Sequence, residues 1–379
     1  MQLLKGYLLP FTSLAALVLA LMLIPANAAA QPDTKRILLV VSGYGQQQGQ
    51  QAPGYEFDEF AKAYLVFKAH GIDVDIASPQ GGAVEADKYD PATPYNQQVL
   101  NDPAIMAKLA DTLATAQLAA ANYNGIFIVG GKGAMFDLPK DSALQQLIAA
   151  VYQQQGSIAA VCHGPAALVN VTLADGSYLV ANKAVNSFTN EEEQLFGKKW
   201  LPKFEFLLQD KLIERGGIFQ ASPIMLNHVV ADNRLITGQN PTSTVAVATA
   251  LVKSLGITPL VMPPHKDDYT LTLVAALLDG KPDAAQALAS NPEQLHIELV
   301  AMYGYYYFTT ANSETAWQHA LTLMQLGQSA INNPALDLQI AKAQHKLGDK
   351  AGATATLQQI LVNKPEFEPA KVMLNSMSL

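Results

Sequence analysis

A single cysteine, Cys162, stands where the apolar run Ser157-Ile158-Ala159-Ala160-Val161 meets His163-Gly164-Pro165 and a helical Ala166-Ala167-Leu168 pattern begins. A strand that ends in a small-residue turn and feeds a helix lifts its corner side chain above the sheet, where a nucleophile would sit. The helix N-terminus would there lower the thiol pKa by favouring the thiolate; the alternative is a small buried core cysteine. His163 can take the thiol proton and then needs an orienting acid, for which Glu191-Glu192-Glu193 offers three candidates. Taken alone, that run is an acidic helix start capped by Thr189 or Asn190. Glu59 could share a proton with the thiol as general acid or base, or be a solvated first-turn glutamate. Gly130-Gly131-Lys132-Gly133 can offer backbone N–H groups to an oxyanion, or form only a tight turn.

These groups need a frame that brings them to one edge. From Arg36 to about Gly256, short β-branched runs alternate with longer helical patterns. Strands are expected at 37–41, 73–77, 126–129 and 157–161, and helices at 58–69 and 143–154. This alternation predicts an α/β fold, a mostly parallel sheet with helices on both faces. In such folds sites gather beyond the carboxyl ends of the strands, where Gly130-Gly131 and Cys162 both fall. The Gln/Gly-rich segment 42–53 reads as a flexible surface loop. Past residue 258 the pattern changes. Residues 259–265 read as a linker, and 266–379 as an all-helical domain in which one stretch, 335–370, resembles a tetratricopeptide repeat. One such unit is too short to stand alone, so this region is expected to pack on the preceding domain, on itself or on a partner. The aromatic run 303–308 reads as helix packing within it.

Composition narrows the class. The net charge of −8 gives no basic surface for nucleic acid. Residues 1–30 carry Lys5, an apolar stretch and a small-residue Ala-x-Ala site, the pattern of a cleavable signal peptide. A periplasmic or secreted protein is the expectation, and an uncleaved anchor the alternative. With one cysteine no internal disulfide can form, and a thiol exposed to oxidation argues that its chemistry is wanted. The histidines show no metal-ligand spacing, so neither metal nor cofactor is expected.

In order along the chain, Ala77-Ser78-Pro79-Gln80-Gly81-Gly82, the 130–139 stretch, Ala160-Val161-Cys162-His163-Gly164-Pro165, Phe188-Thr189-Asn190 through Glu193, and 235–243 resemble the ThiJ/PfpI superfamily, the class I glutamine-amidotransferase-like fold. Within it they look like heat-inducible chaperones acting as glutathione-independent glyoxalase III. The resemblance covers about 34–255, defining a domain within 31–258, and omits the helical region. It implies a flavodoxin-like three-layer sandwich with Cys162 as nucleophile, His163 as its base, Glu193 as third acid (Glu192 in the other register) and Glu59 bonded to the thiol. It implies that Gly131 and His163 N–H groups form an oxyanion hole, with Gly130, Lys132 and Gly164 beside the substrate. It also implies a homodimer. Lys132 replaces a common family histidine and Lys62-Ala63 a His-Pro pair; Lys132 could favour an anionic substrate or pair with Asp137.

The expected activity is cofactor-free conversion of a small reactive aldehyde, such as methylglyoxal to D-lactate, by a lyase of the D-lactate dehydratase type. The same machinery could serve an amidase, a peptidase or a protein deglycase. A holdase chaperone with unfolded or glycated clients, or a partner held by the helical region, is the non-enzymatic alternative. Cys162 as a redox sensor would need an external thiol.

Overall fold

The computed structural model describes residues 34–197, 199–290 and 292–377. The signal-peptide expectation for 1–30 lies outside them. Among the described residues no helix is long and apolar enough to cross a membrane.

The strands are β1 (Arg36–Val40), β2 (Asp73–Ser78), β3 (Leu113–Ala114), β4 (Gly125–Ile128), β5 (Ser157–Val161), β6 (Ala184–Val185), β7 (Ile218–Phe219), β8 (Val229–Asp232) and β9 (Leu235–Gly238). A seven-stranded sheet runs β3-β2-β1-β4-β5-β9-β8, parallel except for β8 against β9. Within the central strands, successive side chains enter opposite layers. Ile37, Leu39, Phe127, Ala159 and Val161 join one core. Leu38, Val40, Ile126, Ile128, Ile158 and Ala160 join the other. Both faces are therefore buried, which is why the strands read as unbroken apolar runs rather than alternating ones.

The first core is covered by α1 (Phe57–Ala69), α2 (Pro94–Leu100), α3 (Pro103–Ala110) and, later in the chain, α7 (Thr244–Ser254); the second is covered mainly by α4 (Ser142–Gln153). A short helical turn, α5 (Asn190–Glu192), and α6 (Leu208–Glu214) lie between β6 and β7. Sheet order reverses between β1 and β4, so the crevice expected in such folds opens where their carboxyl ends diverge.

Beyond α7 the chain is helical: α8 (Lys266–Leu278), α9 (Ala284–Ser290), α10 (Ile297–Thr310), α11 (Glu314–Ile331), α12 (Pro334–Lys346), α13 (Lys350–Asn363) and α14 (Glu368–Met377). The repeat-like pattern becomes α12 and α13, joined through Gly348 at φ 87°. Asp349 caps α13, and Ala341, Leu357, Ile360 and Ala370 are buried together. This region does not stand apart. Ile224 and Leu226 of the α/β layer share one core with Leu271, Val274 and Leu277 of α8, and the chain from Lys35 onward forms one compact unit. The 259–265 segment runs against the sheet domain: Leu260 N–H donates to His70 Nε2 at 2.9 Å, and the His265 ring meets Tyr95 edge-on at 4.9 Å.

Candidate active site

Cys162 follows β5 directly and adopts φ 59°, a left-handed conformation that a non-glycine residue holds only when its surroundings enforce it. They do so by hydrogen bonds on both sides. Its N–H donates to Gly238 O, and its carbonyl accepts Phe188 N–H, each at 2.9 Å. The next turn can pass under β4 because Gly164 has no side chain; a Cβ there would lie 2.5 Å from Ile128 O. The segment after the cysteine is a five-residue 3₁₀ turn, Gly164–Leu168, in place of the expected α-helix. A full macrodipole is therefore absent, and Cys162 is 4% exposed. Burial, followed by the charge of Glu59, pushes the thiol well above its usual range, opposite to the expected lowering. Lys132 and the Gly131 N–H, which bonds the sulfur, act against that rise.

On one side of the sulfur lies a histidine and acid relay. His163 Nδ1 is 3.2 Å from Cys162 Sγ, and His163 Nε2 is 2.6 Å from Glu193 Oε1. An ionised carboxylate only accepts, so this bond keeps the proton on Nε2 and leaves Nδ1 free to receive the thiol proton. Glu193 starts a π-helical turn, Glu193–Gly197, whose wider winding turns its carboxylate inward. A Cβ at Gly197 would lie 2.4 Å from Glu193 Oε2.

The two registers separate by geometry. Glu192 caps its own helix in a capping box with Thr189 and accepts the Met225 N–H at 2.7 Å and the Asn240 Nδ2 at 3.0 Å. Glu191 is exposed. Since every neighbour of Glu192 is a donor, Glu192→Gln sets amide hydrogens against them and should cost about 2–4 kcal/mol, read by urea unfolding. Glu193→Gln should leave stability nearer wild type and act on activity.

On the other side lies Glu59. Far from being solvated, it is fully buried: its Oε2 accepts the Gly130 N–H at 2.7 Å, its other oxygen has no hydrogen-bond partner among the described residues, and its charge acts on the Cys162 thiol. Burial first, then the nearby Glu56 carboxylate, raises its pKa well above the carboxylate range. Glu59 and the thiol thus compete for one proton, and a neutral Glu59 can donate it to a thiolate. Gly130 N–H is committed to Glu59 and is not open to an oxyanion. Gly131, at φ 93°, remains a donor aimed at the sulfur. Gly130 also lets the chains close up, because a Cβ would meet Glu59 Oε2 at 2.7 Å and Cys162 Cβ at 2.8 Å. Gly130→Ala should therefore lower stability by about 1–3 kcal/mol in thermal unfolding and largely abolish activity.

Lys132 does not pair with Asp137. Asp137 instead accepts from Ser42 Oγ at 3.0 Å and Gly43 N–H at 2.8 Å. The Lys132 charge acts on Glu56, Asp87 and the Cys162 thiol. The 42–53 segment is a bridged turn with Gln46 paired to Ala52, and Gln50 O accepts Lys199 Nζ at 2.5 Å. Sequence reasoning missed Glu56, Asp87 and the rings of Phe188 and Phe204 that flank His163 at 4.6 and 6.2 Å. Nothing in their local sequence marks them; chain crossings alone bring them in. Among the described residues, no group of three His, Cys, Asp or Glu side chains could hold a metal ion.

The profile of the DJ-1/PfpI family matches residues 51–254, which contain Glu59, Gly130, Gly131, Cys162, His163 and Glu193. The chain belongs to the DJ-1/PfpI family. The DJ-1/PfpI domain is 30% identical over 238 residues to the glutathione-independent glyoxalase hsp3102 of Schizosaccharomyces pombe, covering 58% of this chain and 98% of that protein. It is 27% identical over 234 residues to the glutathione-independent glyoxalase HSP31 of Saccharomyces cerevisiae, with the same two coverages. Among solved structures, the Rapid Encystment Protein 24 KDa of Francisella tularensis aligns with a TM-score of 0.54 at 28% identity, over 59% of this chain and 99% of its own. Glyoxalase III of Candida albicans shares the fold, with a TM-score of 0.54 at 23% identity over 58% and 97% of the two chains. The family match stops at residue 254, short of the helices from α8 onward.

Proposed function

We propose that this chain is a glutathione-independent glyoxalase that converts a small α-oxoaldehyde, with methylglyoxal as the test case, into the 2-hydroxy acid. The observation that carries this reading is the relay Cys162, His163, Glu193, joined by bonds of 3.2 and 2.6 Å, with the buried Glu59 acting on the same thiol from its other side. The names of the relatives support the substrate class. Near-complete burial of Cys162, a residue 4% exposed, favours a small aldehyde over a peptide, whose backbone would have to reach its sulfur.

The chemistry follows from the positions. His163 Nδ1 takes the thiol proton, and the sulfur adds to the aldehyde carbon. The carbonyl π electrons move to oxygen, which meets the Gly131 N–H, and protonation gives a hemithioacetal. Removal of the former aldehyde hydrogen as a proton gives an enediol, and its return to the neighbouring carbon gives a thioester of the hydroxy acid; Glu59 and His163 are the groups in reach to carry it. Water then cleaves the thioester, restoring the thiol, so the sum is substrate plus one water. Substrate oxygen meets a neutral Glu59 as a donor.

D-lactate is the proposed product, and residues 1–30 support placing the activity outside the cytoplasm. The test is lactate formation from methylglyoxal without glutathione, with a chiral assay of the product. Amide hydrolysis in place of lactate would replace this reading with acyl transfer by the same thiol.

A further inference from the structure

The helical region touches both elements that carry the acids of the site. Lys62 lies one turn beyond Glu59 on α1, with its side chain 5% exposed. Its ammonium donates to Asp267 Oδ2 at 2.6 Å and Asp268 Oδ1 at 2.7 Å, both in the first turn of α8. Tyr95 of α2 lengthens the contact, its hydroxyl lying 3.3 Å from Asp58 Oδ2 and 3.4 Å from Asp267 Oδ2. Asn96 holds the other Asp58 oxygen at 2.6 Å. The stretch Asp58 to Lys62, with Glu59 inside it, is thus fixed from outside by side chains of α2 and α8. On the opposite flank, Phe196 lies in the π-helical turn begun by Glu193, and its ring meets Tyr306 of α10 edge-on at 4.8 Å. Leu195 packs into the core built by α8 and α10.

A buried ion pair adds little net stability once desolvation is counted, but it fixes geometry tightly because breaking it strands a charge. Placed three residues from a carboxyl whose function depends on reaching one sulfur, that rigidity has a use. We propose that the helical region 266–377 is a working part of the active site, with Lys62 a positioning residue that sets Glu59 against Cys162 and Tyr306 one that sets Glu193 against His163. This rests on the thiol-centred reading of the site but not on its substrate.

The test uses the full chain and a reagent indifferent to the natural substrate. Cys162 is the only cysteine, so iodoacetamide alkylation reports its thiolate alone. The variant Lys62→Met/Asp267→Asn/Asp268→Asn removes the charged set without leaving a buried charge unpaired. Displacing Glu59 takes away the carboxyl whose charge pushes the thiol up, so the alkylation profile should move down by about one pH unit. kcat should fall at least about tenfold with KM little changed. In a Glu59→Gln background the same changes should move the profile no further, an outcome that a general loss of structure would not give. Should the triple variant not fold by circular dichroism, Tyr306→Leu, at a half-buried site, reads the other contact and should slow alkylation several-fold at pH 7. A folded variant with the wild-type profile overturns the proposal. A wild type without activity on methylglyoxal, together with a moved profile, overturns the substrate reading and leaves this one standing.

Discussion

Replacing Cys162 by Ser is expected to lower kcat/KM for methylglyoxal by at least about 10³-fold, measured as lactate formed without glutathione. The serine hydroxyl could occupy the same corner and reach His163 Nδ1, so the fold and the relay would survive. A hydroxyl is far harder to ionise than a thiol, however, and its adduct is a poorer leaving group from the ester that follows. Glu59→Gln separates the two duties of that acid. The amide oxygen can still accept the Gly130 N–H that lies 2.7 Å from Oε2, and the amide N–H can still face a thiolate. It cannot carry a proton, and a loss of about 10²-fold in kcat is expected. A serine variant within tenfold of wild type would remove the thiol from the mechanism, and with it the assignment of Glu59 as its partner.

How far the sequence discloses this site depends on whether a feature is local. β5 spans Ser157–Val161, the bounds its apolar run predicts, because a strand buried on both faces writes itself as consecutive apolar residues. Cys162 at the corner is legible for the same reason, since a strand end followed by His-Gly-Pro must turn. Glu59 is legible through the family resemblance and not from its local pattern. Its position in the first turn of an amphipathic helix predicts solvent, and only the close approach of Gly130, with no side chain to hold the chains apart, buries it. Glu193 is legible as one of a run, but its separation from Glu192 depends on a π-helical winding with no sequence signature. Lys62 follows the same rule. A lysine on the helix of a catalytic acid reads as a solvated face, and its partners lie more than two hundred residues away. The aromatic run at 303–308 reads as packing within the helical region, whereas Tyr306 reaches Phe196 beside the catalytic acid. Short-range periodicity carries the sheet, and long-range closure carries the chemistry.

Thermal stability is expected to be greatest near pH 5 and to fall by several degrees in Tm on going to pH 7.5, the reverse of what paired surface carboxylates would give. The cause is a set of buried acids held in their protonated form. Burial, then the Asp58 and Asp87 charges, raises Glu56 from 4.5 to about 7. Burial raises Asp137 from 3.8 to about 6 and Asp268, beside the Lys62 pair, likewise to about 6. Glu59 is raised further in the same direction. Between the unfolded values and these, the native chain binds protons that the unfolded chain has released, so stability declines as pH rises through that window. At about 1.4 kcal/mol per pH unit, Glu56 alone contributes up to about 3 kcal/mol of that decline. On the acid side Asp102 works the other way. Hydrogen bonds from Lys68 and Tyr64 lower it to about 2, so the stability it confers is lost as pH falls from about 4 toward 2. Glu56→Gln should therefore raise Tm at pH 7.5 and leave it nearly unchanged at pH 4.5, flattening the profile in differential scanning calorimetry. Two of these acids, Glu59 acting on the thiol and Glu56 beside Glu59, destabilise the fold at neutral pH where the thiol chemistry lies, which is what a site would keep for proton transfer rather than for stability. A wild-type Tm that instead rises from pH 5 to 7.5 would mean that these carboxyls are ionised in the native state, and Glu59 would then have no proton to offer the sulfur.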